Sequence, residues 1–325
     1  MKNFKAFLLL LSCFLGGAPL WAQYFVSKEA HQIMIFNHGI AALEQRLRMI
    51  ERARHTIDVE YFIYDDTEIS ARLFSQALVK KAREGVRVRI LVDGLSLILK
   101  VDEYLAAEFA KSGVTVKYFN QRHLLSPLGQ HRNHRKHLII DGADKDKPEV
   151  IMGGRNIEDK YFDLDPRYNF LDRDAWISGP LVNDIQKTFD QIWRDGLSKD
   201  VEQPLLPRLV PNAASSKGGL NHAQFESDKR RHQQRLDRAR DFLSPNEKDL
   251  QTRKNLALWA QRQWSDVGVF SGPVSFVSDQ SIGHFSWSWK KKNRLVWERL
   301  KLVLGDTRKT VLGESPYLIL RDMGF

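Results

Sequence analysis

The stretch His131-Arg132-Asn133-His134-Arg135-Lys136-His137-Leu138-Ile139-Ile140-Asp141, with Gly153-Gly154-Arg155-Asn156 after it, decides how this chain is read. The apolar run Leu138 to Ile140 predicts a strand over His137 to Asp141. Residues two apart on extended backbone face the same way, so His134 and Lys136 project side by side. An imidazole beside an ammonium suits a phosphate: Lys136 and Asn156 would hold its non-bridging oxygens while neutral His134 attacks phosphorus. Gly153 and Gly154 let the backbone come close to the anion. An attacking imidazole needs a carboxylate on its other nitrogen to fix the tautomer. Asp172 and Asp174, on the next predicted strand, are the candidates.

His131, His134 and His137 recur every three residues, a spacing that raises a metal cluster. Metal binding needs at least three convergent ligands, and a strand does not converge side chains at that spacing. No metal and no cofactor is therefore expected. His131 reads as a surface side chain and His137 as a packed one.

Working outward, Ile40, Leu43, Leu47 and Ile50 put an apolar stripe on a helix whose other face carries Glu44, Arg46, Arg48 and Glu51. Ile57, Val59 and Tyr61 alternate with Asp58 and Glu60, the pattern of a half-buried strand. Asp65-Asp66-Thr67 would cap a helix running through Ala82 to Gly85. Val86–Val92 and Val114–Phe119 read as strands around a helix over Tyr104–Ala110, and Leu181–Trp193 as a further helix. Strands alternating with helices of this length predict an α/β fold with a largely parallel sheet flanked by helices.

The domain expectation is 1–22 leader, 35–197 first α/β domain, 198–265 polar linker or helical insertion, and 266–325 the start of a second, truncated α/β unit. Pro204, Pro207, Pro211 and Ser215-Ser216-Lys217-Gly218-Gly219 mark the linker. Residues 226–241 carry six basic and four acidic side chains, a solvated helix face. Ser244-Pro245-Asn246-Glu247 is a helix start with Ser244 as cap. Strands over Val274–Val277 and Lys309–Leu320, with a helix over Asn293–Leu304, make up the incomplete unit.

Met1–Ala22 has Lys2 and Lys5, an apolar run from Ala6 to Phe14, and small residues before Gln23. That is a secretory signal peptide pattern, so the protein is expected in the periplasm or cell envelope, or secreted. Leu10-Leu11-Ser12-Cys13 offers a lipoprotein signal as the alternative. The lone Cys13 excludes a disulfide framework and a Cys-rich zinc module. The 325 residues carry a formal charge of +10, which favours an anionic partner: phospholipid, nucleic acid or a phosphorylated substrate. Trp287, Trp289 and Lys290–Lys292 would suit stacked bases or a membrane interface, and equally an ordinary surface loop.

At the opening stretch the sequence resembles the phospholipase D superfamily, and within it the bacterial cardiolipin-synthase-like branch. His134-x-Lys136-x4-Asp141 matches its His-x-Lys-x4-Asp signature, and Gly153-Gly154-x-Asn156 the element that follows. Val59-Glu60-Tyr61-Phe62, Gly85–Asp93, Asp172-Arg173-Asp174…Gly179-Pro180, Val274–Asp279 and Glu314-Ser315-Pro316-Tyr317 agree in order. The resemblance spans about residues 35–320.

It implies a phospholipase D-like fold, a mixed, largely parallel β-sheet flanked by helices, and metal-independent phosphodiester transfer through a phosphohistidine. A second histidine, from a second motif, would protonate the leaving alcohol. Asp141 is then a structural support, and the acid behind the histidine falls at Asp172, with Asp174 second. The substrate class would be anionic or zwitterionic phospholipid at a membrane surface, handled by a phosphatidyltransferase making cardiolipin or by a phospholipase D. A homodimeric exported endonuclease, or an inactive half that binds lipid or a partner chain, are the alternatives.

Two departures stand out. Eleven residues separate Asp141 from Gly153, read as a longer hairpin, which a surface loop accommodates at small cost. Of the ten histidines, only His134 has the required Lys and Asp. The expectation is a truncated or split form, or two chains that pair to supply both histidines.

Overall fold

The computed structural model describes residues 23–95, 101–122, 125–126, 129, 131–144, 146–208, 222–278, 295–306 and 308. The leader with Cys13, the Ser215–Gly219 run, the Trp287–Lys292 cluster, the Lys309–Leu320 strand and Glu314–Tyr317 lie outside them.

The strands are β1 Gln23–Phe36, β2 Thr56–Tyr61, β3 Arg87–Asp93, β4 Val114–Phe119, β5 His137–Ile140, β6 Glu149–Gly153, β7 Asp174–Ser178, β8 Ser198–Asp200 and β9 Gly268–Ser278. They form one sheet in the order β8-β4-β3-β2-β5-β6-β7-β1-β9. The helices are α1 Gly39–Arg52, α2 Ile69–Arg83, α3 Glu103–Lys111, α4 Leu181–Trp193, α5 His222–Leu243, α6 Glu247–Gln263 and α7 Leu295–Gly305.

The α/β class and the mixed sheet hold, but among the described strand pairs antiparallel ones outnumber parallel ones. The pairs β2–β3 and β3–β4 are parallel, joined by the crossover helices α2 and α3. The pairs β2–β5, β5–β6, β6–β7, β1–β7 and β4–β8 are antiparallel. The connections from β5 to β6 and from β6 to β7 contain no crossover α-helix, so neighbouring strands there reverse direction. The residues inserted after Asp141 form the β5–β6 hairpin, as their position suggests.

One compact unit runs from Phe25 to Phe276. Residues 222–263 are two helices of this unit rather than a linker: α5 packs on α2 and α3, and α6 on α1. Their Ala239, Phe242, Leu243 and Leu256 join the core that α1, α2 and α3 make with Leu138, Val59 and Ile90. On the opposite sheet face, Leu181, Val182, Ile185, Phe189 and Ile192 of α4 cover Leu91, Ile139, Val150 and Ile177. The β9 strand extends this sheet beside β1, so a boundary at 266 falls just ahead of a strand of the same sheet. The second unit takes in, among the described residues, Gln23, Tyr24, Val277, Ser278 and the helix α7.

Several polar residues expected at the surface are inside. Asp58 and Glu60 are fully buried because α4 and the segment before β5 cover their face of β2. Asp58 receives Arg89 through two bonds of 2.6 and 2.8 Å, and Arg89 reaches on to Asp190 of α4 at 2.7 Å. Glu44 of α1 is buried beneath α6, where it pairs with Arg253 and, at 2.7 Å, with Arg48. The cap of α2 also differs from expectation. Asp159 supplies it from 89 positions away, its carboxylate accepting the Ser70 N–H at 2.8 Å, while Asp65 instead forms a local turn with Thr67. Asn246 rather than Ser244 caps α6, in a reciprocal box with Asp249.

Two buried carboxylates tie these elements together. Asp141, at φ +50°, accepts the backbone N–H groups of Arg54, His55 and Thr56 at 2.9, 2.7 and 2.7 Å, clamping the start of β2 to the end of β5. Asp174 lies between Arg46 of α1 (2.9 Å) and Arg155 (3.2 Å), with all three side chains essentially inaccessible to water. Arg46 also donates to the Tyr61 hydroxyl at 2.9 Å and the Ala42 carbonyl at 3.0 Å. Arg155 donates to the carbonyls of Tyr161 at 2.9 Å, Phe36 at 3.2 Å and Asn37 at 2.9 Å, and to that of Asp172.

Both knots have measurable consequences in urea unfolding. Asp141→Ala deprives three N–H groups of their acceptor and is expected to cost about 2–3 kcal/mol. Asp174→Leu leaves two guanidinium groups in the interior without a counter-charge, and about 3–5 kcal/mol is expected to be lost.

Candidate active site

The proposed site residues gather at one edge of the sheet, where β2 ends, β5 begins, β6 ends and β7 begins. His134 and Lys136 lie on the extended segment just before β5 rather than within it. That segment is held from behind. Asp93 accepts the Asn133 N–H at 2.7 Å and an Arg132 N–H at 2.9 Å, and buried Glu60 accepts the Asn133 amide at 2.8 Å. The Asn120 side chain donates to the His131 carbonyl at 2.7 Å. Alternation of side chains then brings His134 and Lys136 together as the spacing predicts: Lys136 Nζ lies 3.2 Å from His134 Nδ1 and donates to the His134 carbonyl at 2.8 Å.

Phe62, one residue past β2, forms the floor. Its ring centroid lies 4.5 Å from that of His134 and 5.4 Å from the Lys136 ammonium. Nothing in the spacing of the motif marks Phe62, Arg155, Asn133 or Glu60 as part of this assembly. All four are brought in by strand pairing.

The glycine turn is set by crowding. Gly153 stands opposite Asp174 in the β6–β7 ladder, and a Cβ there would lie 2.2 Å from the Arg173 carbonyl oxygen. A Cβ on Gly154 would lie 2.2 Å from an Asp172 carboxylate oxygen. The glycines thus admit Asp172 and the start of β7 to the edge. Asn156 is buried, and its Oδ1 accepts the Ile63 N–H at 3.1 Å, which leaves its NH2 as the donor for a ligand.

Asp172 is not hydrogen-bonded to His134. Its Oδ1 accepts the Arg173 N–H at 2.7 Å, and its charge acts on Lys136. The nitrogen expected to face a carboxylate faces the Lys136 ammonium instead. Asp174 is consumed by Arg46 and Arg155, and Asp141 by the start of β2, so both act as supports.

Burial governs the charges. The Lys136 ammonium is pushed down to about 8 by desolvation, partly opposed by Asp172. Desolvation and the neighbouring Lys136 charge lower His134, keeping the imidazole neutral. Burial raises Asp172, with the Arg173 N–H working against it. His137 is pushed to about 3 by full burial, with the Arg135 and Lys136 charges adding to the effect. It therefore stays neutral, although its Nδ1 lies 3.6 Å from Glu60. Among the described residues, no three His, Cys, Asp or Glu side chains are placed to hold a metal ion.

Residues 47–193 match the family model described as "Cardiolipin synthase, PLD-like domain". The chain is 35% identical over 165 residues to cardiolipin synthase C of Escherichia coli (strain K12), covering 48% of this chain and 33% of that protein. It is 32% identical over 175 residues to the cardiolipin synthase of Halalkalibacterium halodurans, covering 52% of this chain and 33% of that protein. It spans about a third of the length of these relatives. A solved structure, the phospholipase D family member Nuc from Salmonella typhimurium, aligns with a TM-score of 0.37 and 17% identity, over 56% of this chain and 100% of that one. The His134–Lys136 pair, the Gly153-Gly154 turn and Asn156 all lie inside the matched segment, so residues 47–193 are similar to the PLD-like domain of cardiolipin synthases and carry one His-x-Lys-x4-Asp motif.

Proposed function

We propose that this chain contributes a phosphodiester-transfer centre acting on phospholipids, as a cardiolipin-forming phosphatidyltransferase or a phospholipase D. The observation that carries this reading is the neutral imidazole of His134 held 3.2 Å from a buried ammonium on a glycine-lined edge. The Met1–Ala22 pattern supports export to the periplasm or envelope, where the outer face of a membrane offers the substrate.

The chemistry runs as a double displacement. Lys136 and the Asn156 NH2 bind non-bridging phosphate oxygens, and His134 Nε2 attacks phosphorus. The phosphorus–oxygen bond to the leaving alcohol breaks, and an acid delivers a proton to that oxygen. We assign the acid to the histidine of a second His-x-Lys-x4-Asp motif on a partner chain, a second copy of this one being the simplest source. Water or an acceptor alcohol then attacks the phosphohistidine. Its proton passes to the same partner histidine, and the phosphorus–nitrogen bond breaks to restore His134.

The Lys136–His134 contact gives substrate a further role. While Lys136 donates to Nδ1, the proton of the neutral imidazole sits on Nε2, which cannot then attack. A phosphate competes for the ammonium and draws it from Nδ1. Asp172, next to Lys136, is then the acceptor for an Nδ1–H, which frees the Nε2 lone pair.

The first test is turnover of a chromogenic phosphodiester by the full chain in chelator, beside His134→Ala. A loss of about 10³-fold or more is expected, with a base-stable, acid-labile phosphoryl label on the wild type alone. Equal background rates for both proteins would refute the reading. Degradation of plasmid DNA without turnover of phosphatidylglycerol would move the substrate to nucleic acid.

The pH profile is the second test. kcat/KM is expected to fall on the acid side as His134 gains a proton, and on the alkaline side near pH 8 as Lys136 loses its charge. In Lys136→Arg, whose guanidinium does not titrate in this range, the alkaline limb disappears from whatever activity is left. An alkaline limb unchanged in that variant would show that Lys136 does not act as the phosphate-binding cation.

A further inference from the structure

The connection between β6 and β7 carries more than Asp172. At its tip Leu171 is 92% exposed, and Tyr168 and Phe170 beside it are about half exposed. Single exposed apolar side chains are ordinary on a protein surface. These three are contiguous, adjoin a site residue, and are braced in place. Phe170 packs edge-on against Tyr168 at 5.6 Å and tilted against Tyr161 at 4.9 Å, and its N–H donates to the Lys160 carbonyl at 2.8 Å. Asn169 and Asp165 exchange bonds of 3.1 and 3.0 Å that close the turn, and the Lys160 ammonium sits 5.3 Å from the Tyr168 ring. The loop holds its apolar tip outward instead of folding it back on the core.

The charges around the tip are sorted. The acidic groups of this connection face inward or are paired. Asp159 caps α2, Asp163 accepts the Gly39 N–H at 2.7 Å, and Asp165 accepts the Arg167 N–H at 2.8 Å. The Arg167 side chain is largely exposed and pairs with Asp165 at 3.4 Å. Basic charge also comes from α5. His232 contacts Tyr104, Arg235 pairs with Asp102, and Arg240 with Glu108, so α5 runs parallel to α3. Residues 222–231, about 15 Å of helix, therefore lead away past the start of α3, beyond the sheet edge that holds His134. Lys229, Arg230 and Arg231 on this stretch are exposed, against the two acids Glu226 and Asp228, the latter 4.0 Å from Arg231.

We propose that Tyr168, Phe170 and Leu171 insert into the surface of an anionic phospholipid bilayer and hold the His134 edge against the headgroups. This rests on the reading of phospholipid as substrate. A convex tip of one aliphatic and two aromatic side chains is too small for a stable protein interface, which buries on the order of 800 Å² per partner. It suits the boundary of a bilayer, where a Tyr ring is wetted at its hydroxyl and buried at its face. The basic helix beyond the edge adds attraction to anionic lipid.

The test is sedimentation of the full-length protein with phosphatidylglycerol–phosphatidylcholine vesicles, beside Leu171→Ser and the double variant Phe170→Ser/Leu171→Ser. The double variant is expected to bind at least about 10-fold more weakly. The indole introduced by Leu171→Trp is expected to shift to shorter emission wavelength and to be quenched by brominated acyl chains, read as the increment over wild type. Turnover of a soluble chromogenic phosphodiester is expected to be unchanged in both Ser variants. Undiminished vesicle binding by the double variant, or an introduced indole that vesicles neither shift nor quench, overturns the proposal. So does a wild type that retains nucleic acid but no vesicles. Failure of the functional reading is separate, and shows as absent wild-type turnover of the soluble phosphodiester.

Discussion

Two guanidinium groups share the Asp174 carboxylate in the dry interior, and most of the site's geometry depends on that sharing. Burying one carboxylate with two cations is tolerable where most of the remaining donors find oxygens. Here, among the described residues, Arg46 Nη2 alone of the two guanidiniums' nitrogens finds none. Arg46 reaches Tyr61 and the Ala42 carbonyl, and Arg155 reaches four carbonyls from three separate segments. The result fixes α1, the end of β1, the glycine turn and the start of β7 relative to one another. Asp172 comes to the edge because its carbonyl is one of the four. Arg155 is the unspecified residue of the Gly-Gly-x-Asn element, yet it locks that element to the sheet.

Against this rigid frame, the site itself is held at an electrostatic disadvantage. Lys136 is nearly inaccessible, its ammonium facing an aromatic ring and an imidazole, with Asp172 as the carboxylate whose charge acts on it. Burial that lowers the affinity of Lys136 for its proton also keeps His134 neutral, so one desolvated corner prepares both groups. In the proposed reaction a phosphodiester brings the missing negative charge. Concentrating unfavourable electrostatics where the substrate relieves it is a common compromise between stability and activity.

The polar residues of β2 and α1 show why a charge count overstates the surface. Asp58, Glu60, Glu44 and Arg46 belong to patterns that alternate or recur as exposed faces would, and all four are buried. Helices cover both faces of β2, and α6 covers the outer side of α1, so these charges are neutralised in pairs. Glu60 supports the His134–Lys136 segment through Asn133, a link across 73 positions that local pattern does not reveal.

The sequence by itself determined the α/β class, the ends of α4, the strands β2 to β5, and the group His134, Lys136, Gly153, Gly154 and Asn156. Each of these follows from local periodicity, or from residue types whose spacing along extended backbone fixes their direction. The tertiary structure alone decided the strand order and the predominance of antiparallel pairs, the strand β1, the packing of α5 and α6, and the separate duties of Asp141, Asp172 and Asp174. A carboxylate reads the same in any sequence. Whether it caps three backbone N–H groups, neutralises two guanidiniums or flanks an ammonium depends on partners 19 to 128 positions away, and only folding brings those within hydrogen-bond reach.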